Sequence, residues 1–384
     1  MKRGRFLLGT IAIMDDSFLS PRLRGLQPYV PGEQPQIEGL VKLNTNENAY
    51  PPSARVRAAI IEAASHGLER YPDPESWALR RAIAHHHEVD PSQVFVGNGS
   101  DEVLGHAFAA FFQHAPARLL LPDVTYGFYA VYCQLYDIPA LPVPVDAGLQ
   151  VDVEAFAQAA AQPEGCAGIV LANPNAPTGQ GLGADQLRTL LAIAPARVVL
   201  VDEAYVDFGG ESAVDLVAEH PNLLVVQTLS KSRALAGLRV GWAVGQPELV
   251  ELLTRVKNSF NAYPLGWLAQ QGAIAALQDQ AHFEQTRRAV MRTRECLAEG
   301  LRERGFEVLP SLANFLFARH PARDAGELAA QLRQARILVR HFRQPRIAQY
   351  LRISIGTDAQ TDYLLHALDG LLTPAAVTPD TASG

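Results

Sequence analysis

The sequence predicts an α/β protein in two parts: a large domain on a mostly parallel sheet flanked by helices, then a smaller α+β C-terminal domain. Three observations carry that expectation. Between about Val94 and Val244, short apolar, β-branched-rich runs alternate with helical patterns, as strands buried on both faces do. From about Arg287 the pattern changes to a long helical stretch followed by short strand-like runs. A chain of 384 residues also exceeds one ordinary domain of about 150.

The strand candidates of the first part are Val94–Val96, Arg118–Leu121, Gly168–Ala172, Val198–Val201, Leu223–Thr228 and Val240–Val244, with helix-like stretches such as Gly183–Ala194 between them. The second part reads as a helix to Arg304, strands at Phe306–Leu309 and Phe315–Ala318, a helix over Ala325–Ala335, and strands at Ile337–Arg340 and Tyr350–Ile355. The stretch before residue 50 is rich in proline and reads as irregular, crossing between the domains. The expected division is an N-terminal extension and arm over 1–45, a large domain over 46–285, a small domain over 286–372, and a disordered tail over 373–384.

Composition narrows the function. The net charge of −7 speaks against a nucleic-acid partner, which calls for a basic surface. No run of 18 apolar residues exists, so no membrane helix is expected. The basic start followed by Phe6–Met14 is reminiscent of a leader, but it runs into Asp15 and Asp16 without a small-residue cleavage site. It is read as an extension upstream of the true start. Cys133, Cys166 and Cys296 form neither a disulfide framework nor a metal spacing, which fits a reducing cytoplasm. His85, His86 and His87 are consecutive on a helical stretch and cannot share a face, so no metal is expected there. Only four of the 33 cations are lysines: Lys2, Lys42, Lys231 and Lys257. Lysine can lose its proton and attack a carbonyl, which arginine cannot.

Ligands of open α/β sheets bind beyond the carboxyl ends of the strands. Gly97-Asn98-Gly99-Ser100-Asp101-Glu102 follows the first strand and opens a helix, which makes either a phosphate cradle or a plain glycine turn. Tyr126 follows the second strand as a ring to stack on a ligand or to fill core. Asn173–Gly179 makes a rigid turn after the third, aiming the Asn175 amide or serving only as a turn. Asp202 and Tyr205 follow the fourth; a carboxylate there either meets a cation or caps a helix. Ser230 and Lys231 follow the fifth, with Arg239 just before the sixth. Together these supply a phosphate cradle, a stacking ring, an amide, a carboxylate for a pyridinium nitrogen and an imine-forming lysine. That is the set a pyridoxal-phosphate enzyme uses.

In these stretches, and in Lys42–Asn48, Tyr71–Pro74 and Leu351–Thr357, the chain resembles the fold-type-I pyridoxal-phosphate aminotransferases, most closely the histidinol-phosphate aminotransferases. The likeness spans roughly residues 25 to 370. It implies that Lys231 is the catalytic Schiff-base lysine, that Asp202 pairs with the ring nitrogen, and that Asn175 and Tyr205 hydrogen-bond the ring oxygen. It further implies that Tyr126 stacks on the ring and that the backbone at Ser100 and Asp101, with Ser230 and Arg239, holds the phosphate. Tyr71 would reach the phosphate of the neighbouring subunit of a homodimer. Arg352, with Arg340 close by, would grip substrate anions, and Tyr29 would flank the substrate. Arg343 and Arg346 are read as solvated surface charges. The implied substrates are histidinol phosphate and glutamate or 2-oxoglutarate, in histidine biosynthesis. An aromatic-amino-acid aminotransferase or a phosphothreonine-type decarboxylase would share most cofactor residues. A cofactor-binding DNA regulator would need an added basic domain, and only about 40 residues precede the fold.

Overall fold

The computed structural model describes residues 23–373, together with Phe18 and Ser20. The expected N-terminal extension before about Asp15 and nearly all of the C-terminal tail lie outside the described residues. The strands are β1 (Val41–Leu43), β2 (Val94–Asn98), β3 (Arg118–Pro122), β4 (Ala140–Val143), β5 (Cys166–Ala172), β6 (Val199–Asp202), β7 (Leu223–Thr228), β8 (Val240–Gly245), β9 (Glu307–Val308), β10 (Phe315–Arg319), β11 (Ile337–His341) and β12 (Leu351–Ser354). The helices are α1 (Ala54–Ala64), α2 (Trp77–His87), α3 (Gly99–Phe111), α4 (Phe128–Tyr136), α5 (Val153–Ala160), α6 (Ala184–Ile193), α7 (Pro247–Phe260), α8 (Trp267–Gln278), α9 (Gln280–Glu303), α10 (Ala325–Gln334) and α11 (Asp358–Leu372). None of them, among the described residues, is long and apolar enough to cross a membrane.

Seven strands form the large sheet in the order β2-β8-β7-β6-β5-β3-β4. All run parallel except β8, which is antiparallel to both β7 and β2. Successive residues of a strand face opposite sides. Val199 and Val201 accordingly pack into one core with Leu187 and Leu190 of α6, while Leu200 packs into another with Val103 of α3 and Tyr129 of α4. Helices cover both faces, which is why these strands read as unbroken apolar runs. The small sheet has the order β1-β11-β12-β10-β9 and its own core, backed by α9 and α11.

Two strands escape the sequence pattern. The stretch read as irregular before residue 50 contains β1, which adds to the small sheet in parallel with β11. The edge strand β4 carries Pro142, which an edge tolerates. The reversed direction of β8 matters for the site. Because β8 runs back, its first residue Val240 pairs with Asn98 at the carboxyl edge of the parallel strands. Arg239 therefore lies at the same edge as the ends of β2, β6 and β7.

Candidate active site

Eight of the residues singled out in the sequence line one cavity at that edge: Ser100, Asp101, Tyr126, Asp202, Tyr205, Ser230, Lys231 and Arg239. At one end, α3 begins on Gly99, whose φ of +79° is open to glycine. A Cβ there would collide with the Arg239 guanidinium, and one on Gly241 would collide with the backbone of Ser100. Both glycines are thus needed for Arg239 and the start of α3 to approach. The first turn of α3 has no capping side chain, so its N–H groups and the positive helix end are available to an anion. Arg239 Nη2 lies 3.0 Å from Asp101 Oδ2, and the Tyr126 hydroxyl donates to Asp101 Oδ1 at 3.2 Å.

At the other end, Asp202 closes β6 and is 4 % exposed. Its Oδ2 accepts from the Tyr129 hydroxyl at 2.8 Å and its Oδ1 from the Ala204 amide at 3.2 Å. Burial pushes this carboxyl up to about 6, against the pull of those two hydrogen bonds and of Lys231. A cation in the cavity would reverse the shift. Lys231 faces the same space, its Nζ 5.6 Å from the centre of the Tyr205 ring. Among the described residues, Lys42 pairs with Glu47 and Lys257 with Glu75, whereas Lys231 has no carboxylate partner. The Tyr205 hydroxyl accepts from Asn46 Nδ2 at 3.0 Å. Asn46, with φ +56°, is itself held by Ser354 of β12 and by Asn314 just before β10.

The remaining predicted residues lie around this cavity or apart from it. Asn175 is buried but is not in the lining. Its Nδ2 donates to Val124 O, in the loop after β3, at 3.0 Å and to Thr178 Oγ1 of its own turn at 3.2 Å, so both amide hydrogens are engaged by the protein. Arg340 and Arg352 are directly opposed across β11 and β12. Arg352 donates to Asn44 O at 3.0 Å, and its buried Nε has no partner. The Phe342 ring lies against both guanidinium groups, at 5.7 Å from Arg340 and 5.6 Å from Arg352. Tyr29 joins the two sides: its ring is 5.9 Å from that of Tyr126, and Arg340 reaches Val30 O beside it at 3.4 Å. Tyr71 is 81 % exposed, outside the cavity, and stacked on Tyr263 at 4.7 Å.

The family model for aminotransferase class I and II matches residues 38–368. The chain belongs to that family. It is 56 % identical to a histidinol-phosphate aminotransferase of Pseudomonas syringae pv. syringae, covering 92 % of this chain and 99 % of that protein. It is 57 % identical to one from Acetobacter pasteurianus, covering 92 % and 98 %. Its fold is similar to that of the Sinorhizobium meliloti histidinol-phosphate aminotransferase in complex with pyridoxal-5'-phosphate. That likeness has a TM-score of 0.83 at 24 % identity, over 93 % of this chain and 98 % of that one.

The aminotransferase cavity fits pyridoxal phosphate on three counts. The uncapped, glycine-closed start of α3 with Arg239 suits a phosphate. The buried Asp202 suits a protonated ring nitrogen, and the carboxylate-free Lys231 suits an aldehyde. Several side chains went unassigned in the sequence. Tyr129 lies three residues past Tyr126 in an aromatic run, and only the fold shows that it reaches Asp202. Thr228 lines the cavity and accepts from the Ser230 amide at 3.2 Å. Asn46 lies within a quoted motif, but its bond to Tyr205 joins residues 159 apart. Arg346 is not merely solvated as read: it pairs with Asp123 at 2.6 Å and donates to Val145 O, tying the segment before β12 to the end of β3.

Proposed function

We propose that this aminotransferase moves the amino group of histidinol phosphate to 2-oxoglutarate, using pyridoxal phosphate. The observation that carries the cofactor assignment is the placing of Lys231, free of any carboxylate among the described residues, and the buried Asp202 in one cavity. Bound pyridoxal phosphate supplies a pyridinium ring that accepts the electron pair left when the substrate's amine-bearing carbon loses a proton. Asp202 holds the ring nitrogen protonated, and Tyr129 keeps that carboxylate oriented. Lys231 attaches the cofactor and carries the proton from the substrate carbon on its Nζ. The backbone at Ser100 and Asp101, with Ser230 and Arg239, would hold the phosphate, and Tyr126 would stack on the ring. Tyr205 and the Asn175 turn border the ring oxygen.

The substrate assignment is supported by Arg340 and Arg352. Like charges directly opposed across two strands repel, and an anion between them turns that cost into binding. Arginine's planar fork takes either a phosphate or a carboxylate, as one pocket serving both histidinol phosphate and glutamate requires. Tyr29 covers the imidazole end. The 54–57 % identical relatives that carry the histidinol-phosphate aminotransferase name favour this donor over an aromatic amino acid. The exposed Tyr71 supports a homodimer in which it completes the neighbouring site. The unpaired Cys133, Cys166 and Cys296 support a cytoplasmic enzyme. The two sheets, each with its own main core, support a large and a small domain, with β1 of the N-terminal arm joining the small sheet and α9 starting at Gln280, before the expected boundary at 286.

Initial rates of amino transfer to 2-oxoglutarate test the reading. Histidinol phosphate should exceed both histidinol and phenylalanine in kcat/KM by roughly 30- to 1000-fold, the worth of one charge-assisted contact. Phenylalanine or tyrosine as the better donor would make the enzyme an aromatic aminotransferase.

A further inference from the structure

Lys257 lies in the last turn of α7, is 3 % exposed, and is not part of the cavity lining. Burying an ammonium is expensive unless it is well paired, so its partners matter. Its Nζ donates to Pro74 O at 2.7 Å and lies 3.4 Å from Glu75 Oε1. The Asp73 carboxylate holds the same turn, accepting from the Glu75 amide at 3.0 Å and the Trp77 amide at 2.7 Å. Ser76, at φ +46°, then leads into α2. The turn is thus fastened from residue 73 onward. Just before it, Tyr71 stands out from the surface on Tyr263, and the following Pro264 O accepts from Asn98 at 3.0 Å.

We propose that Lys257 is a positioning residue for the neighbouring subunit's site: it fixes the turn that presents Tyr71 to the partner's cofactor phosphate. This rests on the shared-site reading above. The buried ammonium acts in trans, on a site to which its own chain contributes the Tyr71 turn.

The test uses hybrid dimers. Lys257→Met removes the charge and the donor at similar volume, and Tyr71→Phe removes the hydroxyl. Each homodimer should bind pyridoxal phosphate roughly 10- to 100-fold more weakly by equilibrium dialysis. In Lys257→Met, hydrogen exchange should rise in residues 70–77 and stay unchanged in β5, β6 and β7. Mixed with Lys231→Ala chains, either variant leaves one site with an intact Lys231 and an intact neighbouring turn. One wild-type-like site per heterodimer should return, in cofactor affinity and in turnover. Recovery with Tyr71→Phe but not with Lys257→Met would show that Lys257 serves its own subunit, overturning the inference while sparing the shared site. No recovery with either, under confirmed subunit exchange, would overturn both. Increased exchange throughout the large sheet would show a general packing role instead and also overturn it.

Discussion

Two neighbouring carboxylates, the last residue of β6 and the one after it, occupy opposite faces of the sheet. Asp202 and Glu203 are both fully buried, and burial raises both, to about 6 and about 7. Asp202 has two protein donors and opens on the cavity. Glu203, on the opposite face, is enclosed by the Ala213 amide at 2.5 Å, the Ser212 hydroxyl at 2.7 Å and Gln227 Nε2 at 2.8 Å. The first carboxylate has room for one more cationic partner; the second is already satisfied. Burial and a shifted pKa therefore do not distinguish a reactive group from a structural one, whereas access to the cavity does.

The largest effect that can break this contrast is expected from Asp202→Asn. The amide keeps the shape but loses the anion that would keep the ring nitrogen protonated. Transamination should fall by about 2–4 kcal/mol in kcat/KM while much of the cofactor is retained. Absorbance titration with pyridoxal phosphate, beside steady-state rates, separates the two readouts. Unchanged turnover would remove Asp202 from the mechanism.

The same carboxylate sets a pH dependence. In the apoenzyme it is protonated below about 6, and a neutral carboxyl loses the charge attraction to a protonated ring nitrogen. Cofactor affinity should therefore weaken as pH falls through about 6, and Asp202→Asn should lose that limb. A limb persisting in the variant would assign it to another group.

On the substrate side, Arg352→Lys should weaken the reaction with both glutamate and histidinol phosphate by roughly 30-fold or more, because a point charge cannot replace the fork. Arg340→Lys should cost less, since Arg340 has the more exposed position and only a long bond to Val30 O. Equal losses at both positions would contradict the ranking.

The smallest catalytic effect is expected from Glu203→Gln, which should change turnover little and stability in a pH-dependent way. A folded-state pKa raised from 4.5 to about 7 means that the native state binds more protons between those values. Wild-type stability supplied by this group is present below about 4.5 and lost as pH rises to about 7. The glutamine variant has no such loss, so its Tm should gain on wild type across that window. A Tm difference independent of pH would contradict the assignment.

The contrast also explains what was legible in the sequence. Strands buried on both faces are continuous apolar runs, so β2, β3, β5, β6, β7 and β8 stand out, and so do the residues following them. The three residues of β1 and the proline-bearing β4 are edge strands with too little pattern to see. The direction of β8 is a tertiary property, although it decides where Arg239 lies. Asn46, Thr228 and Tyr129 act through partners distant in the chain or through register, which periodicity does not carry. Nor does spacing tell that Glu203 is caged while Asp202 is open, because strand alternation fixes opposite faces but not which face meets the cleft.

Borohydride reduction of the cofactor-loaded enzyme, followed by peptide mapping, tests the central claim most directly. The account predicts a pyridoxyl group on Lys231, the lysine that faces the cavity without a carboxylate partner among the described residues. A pyridoxyl group on Lys42 or on the buried Lys257 would contradict it.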